Sequence, residues 1–297
     1  MGGRVVLVHG LRTSRTMWRA QVEALGIAGH RAVAIDLPGH GRRRSERFTF
    51  DGAVRAVADA VDELGRPALV VGMSLGGYVA IAHAARHPEQ VAGLVAAGCS
   101  TRPADLLVGP WLLAVRVIAR LPDAGAGLNQ FMVDHTLTAT AAADVAAGGL
   151  ALDVMDDALR EMRSATPLAD LARVRVPVWL VNGRYDHFRG EERRYLAACR
   201  DGRLVVLRGA KHLVSLDAPV AFTRVLLAAL MELDAPGPDP AGRTSPSAQA
   251  PGPHPADDAR GIGHDDDVVP EPREDLRGDL ARVSASEVQP VPPEDRP

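Results

Sequence analysis

The sequence predicts an α/β fold, a mainly parallel sheet with helices on both faces. Short apolar runs recur at Arg4–Val8, Arg31–Asp36, Pro67–Val71, Val91–Ala97, Pro177–Val181 and Arg203–Leu207. Their length and their Gly, Pro or Asp borders mark them as buried strands. Between most of them lie segments with apolar residues at helical spacing, so strand and helix alternate through short connections. One turn, Gly72-Met73-Ser74-Leu75-Gly76-Gly77, passes abruptly from strand to helix with a serine at its apex.

Taken in order, the first strand runs into His9-Gly10-Leu11-Arg12, and a helix from about Thr16 holds Gln21–Leu25. The second ends in the turn cluster Asp36-Leu37-Pro38-Gly39-His40-Gly41. Arg42-Arg43-Arg44 then reads as a solvated basic loop. A helix over Gly52–Leu64 puts Val54, Val57, Val61 and Leu64 on one face. The strand before Ser74 leads to an Ala-rich helix, Tyr78–His87, stopped by Pro88. Val91–Ala97 ends at Gly98-Cys99-Ser100. Helices are expected over Glu191–Cys199 and from Pro219 to about Leu233, the latter capped by Asp217.

The alternation breaks between Thr101 and Leu171, where helical patterns cover Trp111–Leu121, Thr138–Ala147 and Leu150–Met162. The expected organisation is a core of residues 1–100 and 172–234, a helical cap or lid of 101–171, and a tail of 235–297. The tail holds 13 of the 22 prolines and no aromatic residue, a composition that buries too little apolar surface to offset ordering entropy. It is expected to be a disordered, Pro-rich acidic segment.

Formal charge is -3, but the tail carries 13 Asp/Glu against six Arg, which leaves the first 234 residues at +4. Neither value points to nucleic acid or a membrane surface, and no partner is implied for the tail. Lys211 is the only lysine, a bias that a high-GC bacterial genome produces. No run of about 18 apolar residues occurs, and the N-terminus has no signal-peptide pattern. A cytoplasmic protein is expected. Cys99 and Cys199 have neither disulfide-framework nor metal spacing. No metal or cofactor motif is found, including H-E-x-x-H, G-x-x-x-x-G-K-[ST] and G-x-G-x-x-G, so the expected cofactor is none.

In a parallel sheet, chemistry gathers at the carboxyl ends of the strands. His9, Asp36, Ser74 and Cys99 fall there, and Asp186 and His212 follow two later strands by short turns. A serine hydroxyl is a weak nucleophile and needs a base; histidine suits that task, and a carboxylate fixes the imidazole tautomer. Ser74 lies in a G-x-S-x-G pattern in its required strand–turn–helix setting, a nucleophile elbow. The alternative is a tight turn whose serine caps a helix.

These motifs, with His9-Gly10, Gly183-Arg184-Tyr185-Asp186 and Lys211-His212, resemble the α/β-hydrolase family over roughly residues 4–233. The family usually opens with a β-hairpin ahead of the His-Gly strand, whereas this chain opens at that strand. The resemblance implies Ser74 as nucleophile, His212 as general base then acid, and Asp186 as orienting carboxylate. It implies an oxyanion hole from the backbone N–H groups of Leu11 and Leu75. His9, Gly10 and Trp18 would shape the loop and pocket. Asp36 and His40 are expected to brace their turn, and Asp105 is an alternative acid. His135, His187, Trp111, Phe131, Arg12 and Arg116 are further pocket candidates whose simpler roles are packing or solvation.

The implied function is a serine hydrolase acting on a carboxylic ester or thioester of a small, largely apolar molecule. Alternatives with the same residues are a carbon–carbon hydrolase, a cofactor-free peroxidase-like enzyme or a lyase. A binding protein without turnover is the remaining class.

Overall fold

A computed structural model describes residues 2–65, 67–103 and 105–235, with only the backbone at 105–108 and 111. The segment expected to be a disordered tail, from residue 236 on, lies outside the described residues, as do the side chains of Asp105 and Trp111.

Six strands form one sheet: β1 (Arg4–Val8), β2 (Arg31–Ile35), β3 (Ala68–Met73), β4 (Val91–Ala97), β5 (Val178–Gly183) and β6 (Gly202–Leu207). Their order is β2-β1-β3-β4-β5-β6, and all five pairings are parallel. The two-residue side-chain period splits each strand between two cores. Val6, Val8, Ala68 and Val70 face helices α2 (Phe50–Leu64) and α3 (Leu75–Arg86). Val5, Leu7, Leu69, Val71 and Met73 face the other side, where Trp18, Leu25, Phe222 and Leu226 pack. That side is closed by α1 (Arg19–Ile27) and the long C-terminal helix Pro219–Asp234. Burial on both faces explains why the strands read as unbroken apolar runs.

The chain order reverses direction across the β1–β3 pair, because β2 lies outside β1 while β4 lies outside β3. Such a switch point opens a crevice at the strand carboxyl ends. The loop after β1 and the turn after β3 therefore meet there.

Between β4 and β5 lie α4 (Asp105–Ile118), α5 (Ala126–Thr136), α6 (Ala139–Gly148), α7 (Met155–Glu161) and α8 (Pro167–Leu171). The helix expected at Trp111–Leu121 begins six residues earlier and holds Pro110 in its interior. The helix expected over Leu150–Met162 is confined to Met155–Glu161. The residues before it are strapped to core loops: the Ala151 N–H donates to Arg12 O (2.8 Å) and Arg44 donates to Leu150 O (3.0 Å). Further ties are Arg19–Asp144, Arg44–Asp153 (2.7 Å), Arg47–Asp157 (3.4 Å), and the Phe50 N–H to Glu161 (3.0 Å). Part of the expected solvated basic loop, Arg44, is thus bonded to the stretch between α6 and α7. Leu112, Val115 and Leu159 pack with Met155 and Leu11, so α4 and α7 cover the loop after β1. α8 instead contacts α3 and α9 (Glu192–Ala198) beside the sheet.

Glu191 ties the entry of this helical segment to the loop after β5. Its carboxylate accepts from the backbone and guanidinium of Arg102 and from Arg194, while its own N–H donates to Ser100 O (2.9 Å). The Arg102 guanidinium, aided by the Arg102 N–H and Arg194 and opposed by burial, lowers the Glu191 carboxyl to about 2. A folded value below the ordinary 4.5 stabilises the fold above pH 4.5, and that stability is lost as pH falls toward 2. Glu191→Gln is expected to lower the melting temperature at pH 7, with the gap to wild type closing by about pH 2. Thermal melts across that range check it.

The last helix has Ala218, not Asp217, at its N-cap, and no side chain caps it. Asp217 ends the four-residue α10 (Val214–Asp217), and its carboxylate accepts the Lys211 N–H (2.9 Å). The expected cap is thus a brace for the loop that carries His212.

Candidate active site

The turn after β3 is held by backbone geometry before any side chain is placed. The Ser74 N–H donates to Ala97 O of β4 (2.8 Å), and Ser74 itself has φ 53° and ψ −115°. A non-glycine residue in such a sparsely populated conformation costs about 1–3 kcal/mol, which the surrounding structure must supply. Close approach of α3 to the sheet supplies it: a Cβ on Gly72 would collide with the Gly76 carbonyl. A Cβ on Gly76 would collide with the backbone of Val8 and His9 at the end of β1. Ser74 makes no side-chain cap for α3, so the helix-capping alternative fails.

Its Oγ lies 3.0 Å from Nε2 of His212, and Nδ1 of His212 lies 3.0 Å from Oδ1 of Asp186. The three residues are 138 and 26 positions apart in pairs along the chain. Three strand ends bring them together. An ionised carboxylate only accepts, so Nδ1 carries the proton and Nε2 is free to accept from the serine hydroxyl. Asp186 is 4% exposed, and its Oδ1 also accepts the Phe188 N–H (2.8 Å). Its Oδ2 is buried and takes no hydrogen bond from the described residues. The loop holding His212 is pinned by Tyr185 N–H to Ala210 O (3.1 Å) and by the Asp217 brace. At the end of β4, Gly98 has φ +59°, and a Cβ there would sit 3.3 Å from Asp186 Oδ2 and 3.2 Å from His212 O. The left-handed backbone favours glycine there, and a Cβ would also meet Met73 Cε at 2.5 Å.

Leu75 opens α3, where the first N–H groups have no intrahelical acceptor and the helix dipole favours an anion. The Leu11 N–H lies in the loop after β1. Among the described residues neither N–H has a backbone or side-chain acceptor. A Cβ on Gly10 would lie 3.5 Å from Ser74 Cβ, which places that loop against the serine. His9 holds it there. Its Nδ1 donates to Gly10 O (2.8 Å) and its Nε2 accepts the Leu37 N–H (3.0 Å), joining the loops after β1 and β2. Burial, then the neighbouring His40, lowers His9 to about 3, so it stays neutral with both nitrogens occupied.

The turn-bracing expectations for Asp36 and His40 match the geometry. Asp36 accepts the N–H groups of Arg15 (2.8 Å) and Arg42 (3.0 Å), and His40 Nδ1 donates to Pro38 O (3.0 Å). Burial raises the Asp36 carboxyl, but those two N–H groups and the Arg15 guanidinium leave it below the usual range.

Other candidates sit elsewhere. Trp18, expected in the pocket, is fully buried in the core with its ring 5.8 Å from Phe222. Phe131 is 58% exposed and stacks on His135 at the outer surface of α5. Arg116 is an exposed partner of Asp156. His187 and Phe188 do reach the site, their rings 5.1 and 4.8 Å from that of His212. Phe188 had no motif to mark it; the only cue was its place two residues beyond Asp186. Among the described residues no cluster of His, Cys, Asp and Glu is arranged to hold a metal. No helix among them is long and apolar enough to cross a membrane.

Comparison with known proteins identifies the family. The family model described as the alpha/beta hydrolase family matches residues 5–225. A pimeloyl-[acyl-carrier protein] methyl ester esterase of Neisseria meningitidis is 32% identical over 235 residues, covering 74% of this chain and 90% of that protein. A thermophilic esterase from Thermogutta terrifontis superposes with a TM-score of 0.66 at 24% identity, covering 79% of this chain and 92% of that one. NosK from Streptomyces actuosus superposes with a TM-score of 0.62 at 27% identity, over 78% and 99% of the two chains. A family match across most of the sheet-forming sequence, with a relative at 32% identity over three quarters of the chain, shows that this protein belongs to the alpha/beta hydrolase family.

Proposed function

We propose that the protein is a serine hydrolase that cleaves a carboxylic ester or thioester through an acyl-enzyme. The observation that carries this reading is the pair of 3.0 Å contacts from the His212 ring, one to Ser74 and one to buried Asp186. His212 takes the Ser74 proton as Oγ bonds to the carbonyl carbon, and Asp186 steadies the resulting imidazolium. The oxygen that gains charge accepts from the N–H groups of Leu11 and Leu75; one such donor is worth about 100- to 1,000-fold in rate. Collapse breaks the bond to the alcohol or thiol, which leaves with the proton from His212. Water then attacks the acyl carbon, His212 repeats the transfer, and a carboxylic acid departs. His9 and Gly10 hold the Leu11 loop. No cofactor enters this cycle.

Residues 1–100 and 172–234 serve as the catalytic core and 101–171 as a cap over its rim, a division that the packing of α4 and α7 on Leu11 supports. The apolar composition of the cap suits a small, largely apolar substrate. Free Cys99 and Cys199 fit a reducing compartment, the cytoplasm.

The esterase relative favours an ester over the carbon–carbon alternative. That alternative keeps one supporting observation, the partly buried Arg12 on the loop after Leu11. Fluorophosphonate labelling and a p-nitrophenyl ester series of varied chain length test the main reading. Label on Ser74 and turnover that varies with chain length are expected; absence of both overturns it.

A further inference from the structure

Arg12 differs from the other arginines that join the core to the helical segment. Arg19, Arg44 and Arg47 each meet a carboxylate there, Asp144, Asp153 and Asp157. Arg12 meets an amide: its guanidinium donates to Oδ1 of Asn129 on α5, a residue only 6% exposed. Among the described residues no carboxylate pairs with it, and burial alone lowers its pKa with no acidic neighbour opposing the shift. A guanidinium has five N–H donors, of which Asn129 takes one. Shielded charges in folded proteins are normally paired, because an isolated one is costly to desolvate.

The position of this cation is informative. It directly follows Leu11, in the loop that places Gly10 against Ser74. The Arg12 backbone is left-handed at φ 70°, one of three non-glycine residues with positive φ among those described; Ser74 is another. Such strain persists where the surroundings over-determine a conformation, and it clusters at ligand-binding positions. Residues 1–234, at a net +4, also favour approach of an anion.

We propose that Arg12 is the counter-ion for a carboxylate carried by the substrate, so that the preferred substrate is a half-ester or half-thioester of a dicarboxylic acid. This rests on the ester-hydrolase reading for its chemistry, while the anion site stands on Arg12 alone. The aliphatic middle of such a molecule meets the apolar cap, and its ionised end meets Arg12. One charged hydrogen-bonded contact corresponds to about 10- to 100-fold in specificity.

The test uses the full chain and a matched pair of esters, mono-p-nitrophenyl glutarate and p-nitrophenyl pentanoate. Wild type is expected to favour the glutarate ester in kcat/KM. The glutarate-to-pentanoate ratio should fall at least tenfold in Arg12→Gln and be partly retained in Arg12→Lys. Asn129→Asp supplies an internal carboxylate to the same guanidinium, so it should lower the ratio too and serves if Arg12→Gln does not fold. Calorimetric binding of free glutarate to wild type, lost in Arg12→Gln and in Asn129→Asp, reads the anion site without turnover. A ratio that none of these variants changes, or glutarate binding that is absent from wild type or indifferent to the variants, overturns the proposal. Fluorophosphonate labelling of Ser74 in the same samples reports on the hydrolase reading separately, so loss of one idea is distinguishable from loss of the other.

Discussion

Ser74→Ala is expected to lower ester hydrolysis by on the order of a millionfold, and Ser74→Ala/His212→Ala by no more than that. The reason is geometric. The Ser74 hydroxyl has His212 Nε2 as its base at 3.0 Å, and among the described residues no other hydroxyl hydrogen-bonds to the His212 ring. With either partner missing, the remaining one performs no step, so the losses do not add. What persists is the residual rate from the Leu11 and Leu75 amides and substrate binding, about 1,000- to 10,000-fold over water in related triads. The side chain lost is small and makes no helix cap, so folding should be little affected. Rates for the two single variants and the double variant on one p-nitrophenyl ester check the claim. A double variant another hundredfold slower than either single would show that the residues act independently, against the mechanism.

The sheet was legible because its four central strands are buried on both faces and carry their apolar content in unbroken runs, as Leu69, Val70 and Val71 do. The site was legible for a related reason: its residues follow those strands at once, and Ser74 sits in a turn that small residues make recognisable. The helices between β4 and β5 were less so. α5 (Ala126–Thr136) has no expectation behind it, since Leu128, Phe131 and Met132 lie exposed instead of forming a buried stripe. Leu150 to Val154 carry helical composition, but the bond from the Ala151 N–H to the Arg12 carbonyl and that from the Arg44 guanidinium to the Leu150 carbonyl hold them outside the helix, a tertiary effect with no local signature. Trp18 is expected either to line the pocket or to pack in the core. A single turn of 3-10 helix over Arg15–Trp18 directs it into the core. The role of Asp217 likewise depends on a partner six residues back, Lys211, that a capping rule does not consider.

Gly76→Val should abolish the folded catalytic core, not merely its activity. α3 meets the sheet at Gly76 with no room for a side chain: a Cβ there falls 2.5 Å from His9 O and 2.7 Å from Val8 C, and nearer still to Val8 O. These are backbone atoms of a strand paired on both sides, to β2 and to β3, so they cannot swing aside as a flexible side chain would. Relief requires α3 to lift from β1, which would uncover Val79, Ala80 and Ile81, each fully buried. Burial of a Val or Ile side chain is worth about 1.5–3 kcal/mol, and native domains hold only about 5–15 kcal/mol in all. The variant is therefore expected in the insoluble fraction, or with a melting transition far below that of wild type. Gly76→Ala carries the same first carbon and should fail in the same direction to a smaller degree. Ser74→Ala, two residues away, should melt close to wild type or above it, because it removes no packing. That contrast separates steric necessity at Gly76 from chemical necessity at Ser74. If Gly76→Val melted like wild type and lost only turnover, the close contact of helix and strand would have to be a consequence of the site and not its support.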